Sequence, residues 1–287
     1  MPSYLKTAIN QKISRALSLW IILILGLFYC YAPAWGLDRY IEKRQALQLS
    51  KHIKVGKPIQ LPLGQDDFFA IYTEATTPKS RGGAILVHGL GAHPDWPQMI
   101  SPLRRQLPRY GWNTLSIQIG TVRDYASSKD YERLFQDSHR RIRSAIDYFK
   151  KRGIYNIILI GHSLGASMAL TYISNSQEKF SGVIAVVGVS MYDLDKITKN
   201  YQTANTIASI KIPVLDIYGS LDNVEIQNSA RLRRLAAQKS ANKLFNQLEI
   251  SGADHFFTGL EKKLLKRIRG WVNIQAPSME IELKRNE

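Results

Sequence analysis

The chain has 287 residues with 45% hydrophobic and 22% charged side chains, a balance that predicts a packed core of one large or two small domains and excludes a disordered or fibrous protein. Lys and Arg number 39 against 23 Asp and Glu, a net charge of +16. The cations are scattered and no nucleic-acid-binding motif accompanies them, so the charge suits an anionic membrane surface and not nucleic acid.

The N-terminus stands apart from the fold. Lys6, Lys12 and Arg15 precede an apolar run, Ala16 to Tyr31, interrupted by Ser18, and Ala32-Pro33-Ala34 offers a small-residue cleavage site. This is the order of a bacterial export signal, but the run also approaches membrane-spanning length. Residues 1–34 are therefore expected to be a signal peptide or an N-terminal membrane anchor. The rest would lie in the periplasm, free or held at the inner membrane. Cys30 is the only cysteine, so no disulfide forms within the chain. Tyr29 before it is too large for a lipid-attachment site.

Residues 35–52 predict a connecting helix, and 53–274 the main domain. Ile53–Leu63 and Asp67–Glu74 predict an early hairpin. Ala84-Ile85-Leu86-Val87 is a continuous apolar run that suits a central parallel strand. Pro97–Tyr110 has the apolar spacing of a helix, and Asn113–Ile119 predicts the next strand. Asp130–Arg152 is the longest predicted helix, with Ile142, Ala145, Ile146 and Phe149 on one stripe. Strands at Tyr155–Ile160, Gly182–Val189, Val214–Tyr218 and Leu244–Ile250 then alternate with helices at Ser163–Ser174, Glu225–Gln238 and Leu260–Val272. That alternation predicts an α/β fold with a mostly parallel, doubly wound sheet flanked by helices. Residues 275–287 predict a loose tail. Basic residues of the last helix, Lys262, Lys263, Lys266, Arg267 and Arg269, oppose its apolar stripe, as on a sheet-packing helix with a solvated face.

The chemistry centres on Gly161-His162-Ser163-Leu164-Gly165. A strand before this G-x-S-x-G and a helix after it would lift the serine onto a sharp corner, with small residues on both sides letting the arms of the turn approach. A serine hydroxyl needs a base, a group to orient that base, and donors for the oxyanion. The order serine, acid, histidine, each after a strand, is offered by Ser163, Asp222 in Gly219-Ser220-Leu221-Asp222, and His255 in Gly252-Ala253-Asp254-His255. The backbone N–H groups of Leu90 and Leu164 are the candidate oxyanion donors. Asp193 and Asp195, after an earlier strand, rival Asp222 as the acid. Among the other histidines, His52 and His139 suit surface positions, His162 the inside of the turn and His88 the shaping of the oxyanion loop. The six histidines do not cluster and no thiolate pair exists, so no metal site is expected. No dinucleotide or phosphate loop is present, so no cofactor is expected.

On these motifs the chain resembles the α/β-hydrolase superfamily over roughly residues 53–272. More narrowly, His88-Gly89-Leu90-Gly91-Ala92-His93-Pro94-Asp95-Trp96-Pro97, Pro102-Leu103-Arg104 and Gly111-Trp112-Asn113-Thr114-Leu115-Ser116 resemble an exported bacterial α/β-hydrolase-like family of unknown function. The superfamily implies acyl transfer to water through an acyl-serine, on a small-molecule or lipid ester or a thioester. Ser190–Pro213 is the segment that often carries a lid. Its shortness predicts a small cap and an open acyl pocket, with Met191, Tyr192, Leu194 and Tyr201 as wall residues and His93 near the mouth. The alternative is a catalytically silent α/β-hydrolase-fold protein that binds or scaffolds at the inner membrane.

Overall fold

A computed structural model of the chain describes residues 37–123, 126–175, 182–194 and 201–276. Residues 1–34, expected to be a signal peptide or membrane anchor, Asp195 and the tail beyond 276 lie outside the described residues. All structural statements below concern the unit Gly36–Glu287. Its described residues include no helix long and apolar enough to cross a membrane.

The unit is an eight-stranded sheet in the order β1-β2-β4-β3-β5-β6-β7-β8. β1 (Lys57–Leu63) and β2 (Asp66–Thr73) form the expected antiparallel hairpin, and β2 also pairs antiparallel with β4 (Trp112–Ile117). β3 (Gly82–Val87), β4, β5 (Ile157–His162), β6 (Val183–Val189), β7 (Val214–Gly219) and β8 (Phe245–Ile250) pair in parallel. β3 and β5 are buried along their whole length, which explains why their sequences do not alternate: both faces are covered. Pro58 and Pro62 are tolerated because β1 is an edge strand.

The helices, in chain order, are α1 (Arg39–His52), α2 (Ile100–Gln106), α3 (Ser128–Lys150), α4 (Leu164–Asn175), α5 (Thr203–Ser209), α6 (Val224–Lys239) and α7 (Glu261–Gln275). One core packs Phe135, Ile142, Ile146 and Phe149 of α3 and Met168 of α4 against Ile85, Leu115 and Leu159. A second packs Ile100 and Leu103 of α2 and Leu264, Ile268 and Val272 of α7 against Leu86, Ile158 and Val187. Burying each such side chain stabilises the fold by roughly 1.5–3 kcal/mol. This fixes the stripe of α7 inward and leaves Lys262, Lys263, Lys266 and Arg267 exposed.

Two predicted elements differ. The Pro97–Tyr110 helix is shorter and divided: α2 ends at Gln106 and a 3-10 turn covers Leu107–Tyr110, where Pro108 lacks the N–H a continued α-helix would use. The Ser190–Pro213 segment contains α5, whose polar sequence TANTIAS carries no amphipathic signal. α5 is pinned by tertiary bonds instead, Asp193 accepting from the N–H and the hydroxyl of Thr203 at 3.1 and 2.8 Å.

α1 is tied to the sheet by buried charge. Arg141 of α3 donates to Asp137 and to Glu42 of α1, both at 2.6 Å, and to the Gln118 carbonyl at 2.9 Å. Arg39 reaches Asp137 at 2.8 Å. Glu42 also accepts from the Thr121 N–H at 3.2 Å, and its carbonyl accepts from the Gln118 amide at 3.0 Å. Glu42 thus grips the chain just beyond the C-terminal end of β4.

Candidate active site

Ser163 sits between the last residue of β5 and the first of α4 with φ +54°, a left-handed conformation that a non-glycine residue adopts at a cost. The corner is held on both sides. The Ser163 N–H donates to the Val189 carbonyl at 2.9 Å, and the Ser163 carbonyl accepts from Ala166 N–H at 3.0 Å. The flanking glycines are required by space. A Cβ on Gly161 would stand 2.4 Å from the Ala166 Cα, and one on Gly165 would stand 2.3 Å from the His88 carbonyl oxygen.

That second contact brings the turn after β3 against the serine. A Cβ on Gly89 would lie 3.0 Å from the Ser163 Cβ. His88 fixes this turn from within. Its Nε2 accepts from the Ile119 N–H at 3.0 Å, so Nδ1 carries the proton and donates to the Gly89 carbonyl at 2.8 Å. Burial pushes the His88 pKa down to about 3, which keeps the ring neutral. Because Ile119 follows Gln118, which Arg141 and Glu42 hold, the anchorage of α1 adjoins the oxyanion turn. The N–H groups of Leu90 and Leu164 donate to no carbonyl among the described residues. Leu164 follows Ser163 in the chain, and Leu90 follows Gly89, which packs against the Ser163 side chain.

His255 and Asp222 meet. The imidazole Nδ1–H donates to Asp222 Oδ1 at 2.8 Å, which leaves Nε2 as the basic nitrogen. The two loops are stitched together: Leu221 N–H donates to the Ala253 carbonyl at 2.9 Å, and Gly252 N–H to the Ser220 hydroxyl at 2.8 Å. A Cβ on Gly219 would stand 2.1 Å from the Ala253 carbonyl oxygen, which is why the acid turn opens with glycine. Burial pushes the Asp222 carboxyl upward, but hydrogen bonds from His255, Ser190 and the Asn223 N–H outweigh it and hold the group below its ordinary value. The hydroxyl of Ser163 makes no hydrogen bond among the described residues.

The rival acid Asp193 is spent elsewhere. It accepts from Thr203 and from the buried Arg233 at 3.4 Å, and Arg233 also binds Asp216 at 2.8 Å. Met191 is not a wall residue. It is fully buried, and its methyl fills the space that Gly188 leaves by having no side chain. Leu194 and Tyr201 are likewise core residues, the Tyr201 ring stacking on Phe135 at 4.2 Å. Tyr192 is half-buried, and its N–H donates to the Ser163 carbonyl at 3.3 Å. His93 is half-buried too; its Nδ1 accepts from the Asp95 N–H at 3.2 Å and its ring meets Trp96 edge-on. Asp95 pairs with the buried Arg104 at 2.6 Å, so two of the segments carrying the family resemblance lock each other.

Two contributors escape a sequence reading. Ser190, itself at φ +48°, donates its hydroxyl to Asp222 Oδ2. His162 donates Nε2–H to the His255 carbonyl at 2.9 Å and packs its ring 4.9 Å from that of His255. Burial pushes the His162 pKa down to about 4. His139 is also less exposed than a surface position implies; burial lowers it to about 4, and Nε2 lies 3.2 Å from the Thr171 hydroxyl. No three His, Cys, Asp or Glu among the described residues are grouped to hold a metal.

A family model described as "Protein of unknown function (DUF3530)" matches residues 39–133 and 123–274. The chain belongs to this family. No curated protein sequence matches it. Solved structures similar to this DUF3530 protein are α/β hydrolases, and the fold is theirs. Est1E from Butyrivibrio proteoclasticus is 14% identical, with 77% of this chain and 98% of that one covered at a TM-score of 0.59. Esterase 2 from Thermogutta terrifontis, phosphorylated by paraoxon, is 16% identical, with 77% and 94% covered at 0.61. XC6422 from Xanthomonas campestris, an α/β serine hydrolase without a lid, is 14% identical, with 79% and 98% covered at 0.60. At these identities the likeness is one of fold.

Proposed function

We propose that this protein is an exported serine hydrolase that cleaves an ester or thioester through an acyl-serine intermediate. The observation that carries this reading is the 2.8 Å bond between Asp222 and His255, with the His255 carbonyl bound by His162, the residue before a serine held left-handed at a strand–helix corner. Ser163 Oγ attacks the substrate carbonyl as His255 Nε2 takes its proton. The oxyanion is received by the N–H groups of Leu90 and Leu164, each such donor being worth about 10²–10³ in rate. Collapse expels the alcohol or thiol, which leaves with the proton from Nε2. Water then attacks the acyl-serine with His255 again as base, releasing the acid and restoring Ser163. Asp222 fixes the imidazole tautomer throughout and stabilises the imidazolium.

The substrate follows from the mouth. Leu90, Leu221 and Val224 are exposed apolar side chains on or beside the turns that carry Leu90 and Asp222, and the segment between β6 and β7 is short. An open, apolar-rimmed site suits short acyl esters, with His93 and Tyr192 as contacts. The similar structures, which include an esterase and a serine hydrolase without a lid, support the same class. The export pattern of residues 1–34 supports a periplasmic domain, released or anchored at the inner membrane.

A fluorescent fluorophosphonate tests the reading. It labels the wild-type chain, and Ser163→Ala and His255→Ala abolish labelling. A folded wild-type protein that takes no label would leave a silent binding module on the same fold.

A further inference from the structure

On the face of the sheet covered by α2 and α7, these helices and the 3-10 turn enclose a groove of ≈ 690 Å³. Arg109, Lys262, Lys266 and Arg269 bring four cations to it, with Tyr110 and Leu265 among its apolar walls. The one carboxylate of the lining, Glu261, accepts from the Gly259 N–H at 3.0 Å. None of the four cations pairs with a carboxylate among the described residues. The contrast within the molecule is sharp: buried Arg104, Arg141 and Arg233 each have an acidic partner. Four cations against the single carboxylate of Glu261 leave the lining with an excess of positive charge that repels itself, and a bound anion lowers that cost. The groove has the volume of a small-molecule site.

The walls narrow the class of anion. The Arg269 guanidinium lies 4.3 Å from the Tyr110 ring centre, so one face of that ring is taken and not open to stack on a nucleobase. Leu265 and the edge of Tyr110 instead offer apolar contact beside the charges. Arg105, Lys263 and Arg267 are exposed nearby on the same helices and spread the positive field outward. Phosphate ringed by Lys and Arg, with an apolar stem alongside, is the chemistry of an anionic phospholipid at a bilayer surface.

We propose that this groove holds the headgroup of an anionic phospholipid and docks the domain on the membrane through α2 and α7. The proposal is independent of the hydrolase reading. The test is partition of the full chain onto vesicles of phosphatidylcholine, with and without phosphatidylglycerol. The pure phosphatidylcholine vesicles report whatever the apolar N-terminal run contributes. Phosphatidylglycerol strengthens wild-type binding. In Lys262→Glu/Lys266→Glu/Arg269→Glu that gain falls by at least about a hundredfold, since each of the three cations near an anionic surface contributes about a factor of five to ten. Binding to phosphatidylcholine stays unchanged. An unaltered melting temperature certifies the fold, and if the triple variant fails that check, Lys266→Gln alone must lose about five- to tenfold. An equal phosphatidylglycerol gain in wild type and variant overturns the proposal. So does heparin or inorganic phosphate binding as tightly as the lipid with the same loss in the variant, which would make the groove a general anion site.

Discussion

Acidification will unfold this domain from beneath its candidate active site, because His88 and His162 are buried as neutral rings. Their pKa values fall from an ordinary 6.5 to about 3 and about 4. Between those values and 6.5 the unfolded chain binds protons that the folded chain refuses, so stability rises with pH and is lost as pH falls. Each ring contributes a slope of roughly 1.4 kcal/mol per pH unit in that window. Integrated from neutrality to about pH 4, each costs the fold about 3 kcal/mol. Together they remove about 6 kcal/mol, and His139, lowered to about 4 in the same way, adds about 3 kcal/mol more, a large part of the 5–15 kcal/mol that holds a typical domain. Urea unfolding followed by tryptophan fluorescence at a series of pH values measures the slope. His162→Gln keeps a donor for the His255 carbonyl but does not titrate, so its slope must be shallower by one proton. A slope below two protons near pH 5 in the wild type, or no change in His162→Gln, refutes the reasoning.

Three further substitutions separate the parts of the site. Ser190→Ala removes the hydroxyl that donates to Asp222; a hydrogen bond to a charged group is worth roughly 1.5–3 kcal/mol, so kcat is expected to fall ten- to a hundredfold with KM little changed, and unaltered ester turnover would exclude a role for Ser190. Gly165→Ala forces α4 away from the His88 carbonyl; thermal unfolding is expected to show a loss of about 1–3 kcal/mol together with slower fluorophosphonate labelling, and wild-type stability would refute the close approach. Glu42→Gln takes one of two carboxylates from Arg141, which keeps Asp137, and replaces the charged acceptor of the Thr121 N–H; a loss of about 1.5–3 kcal/mol is expected in urea, of which the double variant with Arg141→Met recovers part, whereas strict additivity would show that the pair does not act as a unit.

The local features of this protein were legible because their causes are local. Continuous apolar runs at Ala84–Val87 and Ile157–Ile160 announce strands covered on both faces, and Gly161 and Gly165 beside Ser163 announce a corner that no larger residue fits. The sequence by itself therefore determined the fold class, the strand order along the chain and the position of the corner serine. What it left open were relations between distant segments. Whether Asp222 or Asp193 faces His255 turns on Arg233, a residue of α6 that occupies Asp193 and Asp216 from across the core. Met191 follows a strand as a wall residue would, yet it turns inward because Gly188 leaves a hollow of its size. The helix α1, read as a connector, carries in Glu42 a carboxylate whose partners lie on α3 and beyond β4. Such pairings depend on which surfaces the packed sheet brings within hydrogen-bonding distance, and no spacing along the chain encodes them; only the tertiary structure decides them.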